Sequence, residues 1–230
     1  MTAGDFPWSS VLGRLMAGED LPAAEARAAM AEVMEGRSTP AQVAAFMVAL
    51  RLKGESVEEM TGLVEAMYDA AETVTIDGPV LDIVGTGGDG SGTFNISTTA
   101  ALIAAGAGAR VAKHGNRAAS SRSGSADVLE ALGIPMDLPP EVTVRMVEEA
   151  GFGFFFAPRY HPAMRHAAPV RREVGVPSVF NFLGPLANPA RAPRMAVGVG
   201  DPRMAERMVG VLQALGKEYA FVFYGEDGLD

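Results

Sequence analysis

The chain has 230 residues, 48% of them apolar, with 27 Gly, 15 Pro and no Cys. That length supports one large domain or two small ones with a sizeable buried core. With 19 basic and 28 acidic residues the net charge is −9, which argues against sequence-independent nucleic-acid binding through excess Lys and Arg. The lack of Cys excludes a disulfide scaffold, a thiolate zinc centre and a cysteine nucleophile. Three His leave little for a histidine-rich metal centre.

The N-terminus carries no basic residue before Arg14 and no apolar stretch of the signal-peptide kind. The small-apolar run around Ala100 to Ala109 is Gly-interrupted and far short of a membrane span. A cytoplasmic location is the expectation.

Residues 8 to 72 read as a small helical bundle. Pro22 fits a first helical turn. Thr39-Pro40-Ala41-Gln42 and Ser56-Val57-Glu58-Glu59 both fit a capping box, and Gly54 is placed to stop the helix between them. Val43, Phe46, Met47 and Leu50 recur at helical spacing, as do Met60, Leu63, Val64 and Met67. These Met residues read as core filler.

From residue 80 short apolar runs alternate with helices. The predicted strands are Val80–Val84, Ala109–Ala112, Gly153–Phe156, Met195–Val199 and Ala220–Tyr224. The predicted helices lie near Ser97–Ala105, Ser125–Leu132, Glu141–Ala150 and Pro202–Leu215. Apolar strands joined by helical crossovers imply a parallel sheet covered on both faces. The organisation expected is a helical domain at 1–74, rejoined by an insertion at 169–193, and an α/β domain at 78–168 and 194–230. The last strand is followed by Gly-Glu-Asp-Gly-Leu-Asp where a covering helix is expected, so the α/β domain reads as incomplete at its C-terminus.

Two windows break the acidic average. No Asp or Glu lies between Gly90 and Ala126, which carry Arg110, Lys113, Arg117 and Arg122. None lies between Ala150 and Arg172, which carry Arg159, Arg165, Arg171 and Arg172. Such windows focus positive potential on an anionic ligand, unless they are ordinary surface scatter.

The first strand runs into Gly85-Thr86-Gly87-Gly88-Asp89-Gly90-Ser91-Gly92-Thr93-Phe94-Asn95. Glycines there let backbone N–H groups converge on a phosphate or pyrophosphate ahead of a helix N-terminus, although a plain surface turn has the same composition. Gly85, Gly87 and Gly90 satisfy G-x-G-x-x-G, but Lys113-His114-Gly115-Asn116-Arg117 stands where a dinucleotide site wants an acid for the ribose. Gly87 to Gly92 imitates a P-loop, with Thr93 in place of its Lys. Asp89 inside the cradle suits a magnesium ion or a sugar hydroxyl, with Ser97, Asp227 and Asp230 as further oxygen donors. A second anion site is plausible at Ser120-Ser121-Arg122-Ser123-Gly124-Ser125, with Ser125 as N-cap. No serine stands in a hydrolase elbow, and His114, His161 and His166 fit either ligand contact or simple packing.

Taken together, these segments resemble the anthranilate phosphoribosyltransferase family. The matching stretches are Gly85–Asp89, Asn95–Thr98, Lys113–Arg117, Ser123–Asp127, His161–Met164, Val170–Arg172 and Asn181–Pro189, in order along the chain. The resemblance implies a helical bundle with a parallel-sheet domain of the nucleoside phosphorylase-like type. It also implies transfer of phosphoribose to the amine of anthranilate in tryptophan biosynthesis, with magnesium, in a homodimer joined through the helical domain. Phosphoribosyl pyrophosphate would be held by Gly85, Gly88, Asp89, Thr93, Asn95, Ile96, Ser97 and Thr98. That site would continue through Lys113, His114, Gly115, Asn116, Arg117, Ala118, Ala119, Ser120, Ser121 and Ser125. Anthranilate would meet Gly85, Asn116 and Arg171, with His114, Pro158 and His161 along its path. Ser97 would ligate magnesium, and Asp230 matches the first of the family's paired Asp-Glu metal ligands. No covalent nucleophile is implied, and neither nucleic acid nor membrane is an expected partner. The rival readings are a nucleoside phosphorylase of the same architecture, a non-catalytic nucleic-acid-binding relative, and a dinucleotide-dependent oxidoreductase already weakened by Lys113.

Overall fold

The computed structural model describes residues 6–87, 92, 94–118 and 123–226. Among them the chain begins with helices α1 (Trp8–Met16), α2 (Ala23–Met34), α3 (Pro40–Lys53) and α4 (Val57–Asp69). Strand β1 (Leu81–Gly85), α5 (Ile96–Gly106), β2 (Val111–Gly115), α6 (Ser125–Ala131), α7 (Pro140–Ala150) and β3 (Phe152–Phe156) follow. Next come α8 (Ala157–Tyr160), a 3₁₀ turn (Pro162–His166), α9 (Ala168–Val174) and α10 (Phe180–Leu186). Strand β4 (Arg194–Gly198), a second 3₁₀ turn (Pro202–Met204), α11 (Ala205–Ala214) and β5 (Tyr219–Phe223) complete the order. The helix expected at 202–215 therefore opens as a 3₁₀ turn, in which the Asp201 carboxylate accepts from Arg203 N.

The chain divides into a helical unit, Met1–Ala71 with His161–Ala187, and an α/β unit, Glu72–Tyr160 with Asn188–Asp230. The returning segment thus starts and ends earlier than 169–193. Hydrogen bonds explain where it changes unit. Within the helical unit Tyr68 Oη donates to Leu186 O at 2.6 Å, and His161 Nε2 lies 2.8 Å from Ala187 O. Within the α/β unit Val74 N donates to Pro189 O, and Ala190 and Ala192 pack on the sheet.

In the helical unit both capping boxes form, Thr39 with Gln42 and Ser56 with Glu59. The predicted apolar faces of α3 and α4 are buried, and Met30, Met34, Met47, Met60 and Met67 all sit in the core. Helices α2 and α4 approach so closely that any side chain at Gly62 would run into the Ala23 carbonyl.

In the α/β unit the five strands are parallel in the order β3-β2-β1-β4-β5. Alternation along the strands splits the core between two faces. Val111, Phe152 and Phe154 pack with Ala101 of α5 and Leu129 of α6, while Ala112 and Phe155 pack with Val147 of α7 and Tyr160. At β5, the strand expected to lack a covering helix, Tyr219 is 67% and Phe221 58% exposed. That edge strand pairs only with β4 among the described residues. No described helix is long and apolar enough to cross a membrane.

Candidate active site

After β1 the chain moves to β2 on one side, and after β3 it crosses to β4 on the other. The strand order therefore reverses beside β1, and in open parallel sheets ligands bind outside the carboxyl ends of the strands at such a point. The glycine segment starts there. Gly85 pairs with Gly198 of β4, and Thr86 secures the exit: its N–H donates to Gly198 O at 3.0 Å and its hydroxyl accepts from Gly200 N at 2.9 Å. Nothing in the sequence pattern marked Thr86, because its partners lie far along the chain.

The two anion-binding segments expected from sequence are joined to each other. Asn95 Nδ2 donates to Ser123 O at 3.0 Å, and the buried Thr98 hydroxyl donates to Ser125 Oγ at 2.9 Å. The N-termini of α5 and α6 thereby flank one place at the carboxyl ends of β1 and β2. Ile96 and Ser97 form the first turn of α5, where backbone N–H groups lack intrahelical acceptors. Ser125 is not an N-cap. Gly124 holds that position, and the role expected of a serine hydroxyl falls to Asp127, whose Oδ2 accepts from Gly124 N at 2.7 Å and Ala118 N at 3.0 Å. These two N–H groups, with Arg117 beside them, hold the Asp127 carboxyl below its usual range. A side chain at Gly124 would collide with the backbone at Arg117 and Ala118, so the loop closes only over glycine.

Lys113 is the central cation of this region. It is 1% exposed, and its ammonium donates to Ile83 O at 2.5 Å and Ser97 Oγ at 3.3 Å. Burial brings its pKa down to about 8, partly countered by the charge of Asp82. An anion docked beside it favours the charged form, so binding takes up a proton once the free protein has lost it. If pyrophosphate binds beside Lys113, its affinity should therefore fall above pH 8, by up to about ten-fold per pH unit. Titration calorimetry at about pH 9 in two buffers of different ionisation enthalpy should show that uptake, and Lys113→Met should abolish it.

Gly115 ends β2 against the Phe154 ring and Ser125. Asn116 is exposed, and its amide oxygen accepts from Arg117 N at 2.7 Å. Arg117, by contrast, directs its guanidinium to Glu130 and Asp127 at 2.8 and 3.1 Å and stacks on Phe156. Arg159 pairs with Glu72 at 2.9 Å. The two windows are thus free of acids in sequence but not in space. His114 is buried in β2 with its N–H donating to Asp82, while Pro158 is exposed on α8.

Arg171 and His161 belong to the helical unit. His161 is 5% exposed with Nε2 on Ala187 O, and burial lowers its pKa. That is the setting of a packed, neutral imidazole. Arg171 is half-buried on α9, and its guanidinium carbon lies 5.1 Å from the Phe180 ring centroid. Gly88, Asp89, Thr93, Ala119, Ser120, Ser121, Asp227 and Asp230 lie outside the described residues. Of the magnesium ligands named from sequence only Ser97 is described, and its hydroxyl faces the Lys113 ammonium. Among the described residues no cluster of three His, Asp or Glu stands together, and the other ligands named from sequence lie outside them.

The profile of the glycosyl transferase family, a/b domain, matches residues 77–230, and that of the same family's helical bundle domain matches residues 9–71. The chain belongs to this glycosyl transferase family. An anthranilate phosphoribosyltransferase from a Nocardioides species is 57% identical over 223 residues, 97% of this chain and 65% of the relative. The crystal structure of anthranilate phosphoribosyltransferase from Thermus thermophilus is 51% identical with a TM-score of 0.86, covering 90% of this chain and 63% of that one. The enzyme from Saccharomyces cerevisiae in complex with phosphoribosyl pyrophosphate and magnesium is 28% identical with a TM-score of 0.89, covering 100% and 69%. The chain spans about two thirds of the length of these glycosyl transferase relatives.

Proposed function

We propose that the protein transfers phosphoribose from phosphoribosyl pyrophosphate to the amine of anthranilate, giving N-(5-phosphoribosyl)anthranilate and pyrophosphate for tryptophan biosynthesis in the cytoplasm. The observation that carries this reading is the joining of the glycine and serine segments, Asn95 to Ser123 and Thr98 to Ser125, around the buried ammonium of Lys113. Helix N-termini and a desolvated cation are what a departing pyrophosphate needs, as preorganised charge stabilisation. The C1–O bond to pyrophosphate breaks while the amine nitrogen bonds to C1 and sheds one proton. Holding the two substrates in line supplies the remaining acceleration. The anthranilate carboxylate is assigned to the guanidinium fork of Arg171.

Magnesium joins the proposal through the yeast relative's complex with phosphoribosyl pyrophosphate. The acid partners of Arg117 and Arg159 count against the nucleic-acid-binding alternative, because they remove basic surface. A nucleoside phosphorylase leaves Arg171 without a carboxylate to bind. The proposal includes a homodimer through the helical unit, where Val48 and Leu52 of α3 and Val176 line an exposed apolar groove.

The test is loss of anthranilate fluorescence on adding phosphoribosyl pyrophosphate and magnesium, with this chain and with the longest reading frame that contains it. Magnesium-dependent turnover is expected. A folded protein without turnover in either form would transfer the reading to the non-catalytic relative.

A further inference from the structure

Among the described residues three arginine guanidiniums lie over phenylalanine rings: Arg51 over Phe182, Arg117 over Phe156 and Arg171 over Phe180. The first also pairs with Glu55, and the second with Glu130 and Asp127. For Arg171 no carboxylate stands within ion-pair distance among the described residues, and burial is the one cause lowering its pKa. A guanidinium in that state keeps its fork of N–H donors available for a ligand. What holds it is the face of Phe180, itself 4% exposed at the start of α10.

We infer that Phe180 is a positioning residue for anthranilate: its ring fixes the plane of the Arg171 guanidinium so that the fork is set for the substrate carboxylate before binding. The inference rests on the proposed role of Arg171. A bidentate fork binds a planar carboxylate well only when its plane is held, and an aromatic face does so without occupying a donor. An acidic partner would hold the plane too, but it would compete with the carboxylate.

The test replaces Phe180 with 3,4,5-trifluorophenylalanine, which keeps the shape and weakens the negative ring face, and separately makes Phe180→Leu. Anthranilate binding is read by fluorescence titration, the Arg171 Nε–Hε resonance by NMR, and KM for both substrates by steady-state assay. The expected result is a rise of roughly three- to thirty-fold in Kd and KM for anthranilate, with KM for phosphoribosyl pyrophosphate unchanged. The Arg171 resonance should move toward its free-solution position, and 4-fluorophenylalanine should give an intermediate effect. Trifluoro and parent proteins with the same anthranilate affinity would overturn the inference, whatever Phe180→Leu does to folding. Anthranilate that neither binds to nor reacts with the unsubstituted protein would overturn the proposed function as well, and that outcome is visible before any substitution.

Discussion

Arg171→Ala is expected to raise KM for anthranilate by about 100-fold or more while leaving KM for phosphoribosyl pyrophosphate within a factor of about two. Two charge-assisted hydrogen bonds to a carboxylate contribute about 1.5–3 kcal/mol each, and neither is offset by a partner that Arg171 gives up. Its half-buried position strengthens the fork, because desolvation has already occurred in the free protein. Arg171→Lys keeps the charge but not the fork, and should recover only a small part of the loss. Steady-state kinetics with each substrate varied in turn decides the matter. Equal losses in the two constants would mean that Arg171 supports the fold or the phosphate site instead.

The largest expected effect on stability is at Asn188, where the chain re-enters the α/β unit. Its amide donates to Asp82 Oδ2 at 2.7 Å and Ala112 O at 2.8 Å, and its oxygen accepts from Ala190 N at 2.8 Å. Asn188 and Asp82 are both wholly buried. Asn188→Ala therefore removes one hydrogen-bond partner from each of the buried Asp82 carboxylate, the Ala112 carbonyl and the Ala190 N–H, and should cost about 3–5 kcal/mol. Burial raises the Asp82 pKa to about 6, against the pull of Lys113, Asn188 and the His114 N–H. A carboxyl raised in the folded state contributes stability that is full below its unfolded value of about 4 and lost as pH rises through about 6. Removing the Asn188 donor raises that pKa further, so the penalty should be largest at about pH 7 and smaller at about pH 5. Urea denaturation at both values measures it. A penalty independent of pH would mean that Asp82 is not the group left unpaired.

Much of this architecture is legible in the chain because it rests on local rules. Capping boxes satisfy orphan N–H groups within three residues, so the starts of α3 and α4 follow directly from Thr39–Gln42 and Ser56–Glu59. The five apolar runs became five parallel strands within three residues of their expected bounds, since a continuous apolar run between helices has few other uses. The glycine and serine segments ahead of α5 and α6 were legible as helix starts, and the structure joins them through Asn95 to Ser123 and Thr98 to Ser125.

Tertiary structure alone decided the interactions between residues far apart in sequence. Which segment returns to the helical unit depended on Tyr68 finding Leu186 O and Val74 finding Pro189 O. Spacing does not encode such partners. The acid-free windows lost part of their charge to Glu130 and Glu72, brought in by folding. His161 found Ala187 O beside its buried ring, a partner that spacing does not name. Asp82 and Asn188 escaped notice because a lone acid in an apolar run carries no pattern, and their meaning appears only when 106 residues of chain close between them. Composition and periodicity determine which faces are buried and where helices start. Only packing decides which polar groups meet once water is gone, and with them the pKa of Lys113 and the setting of Arg171.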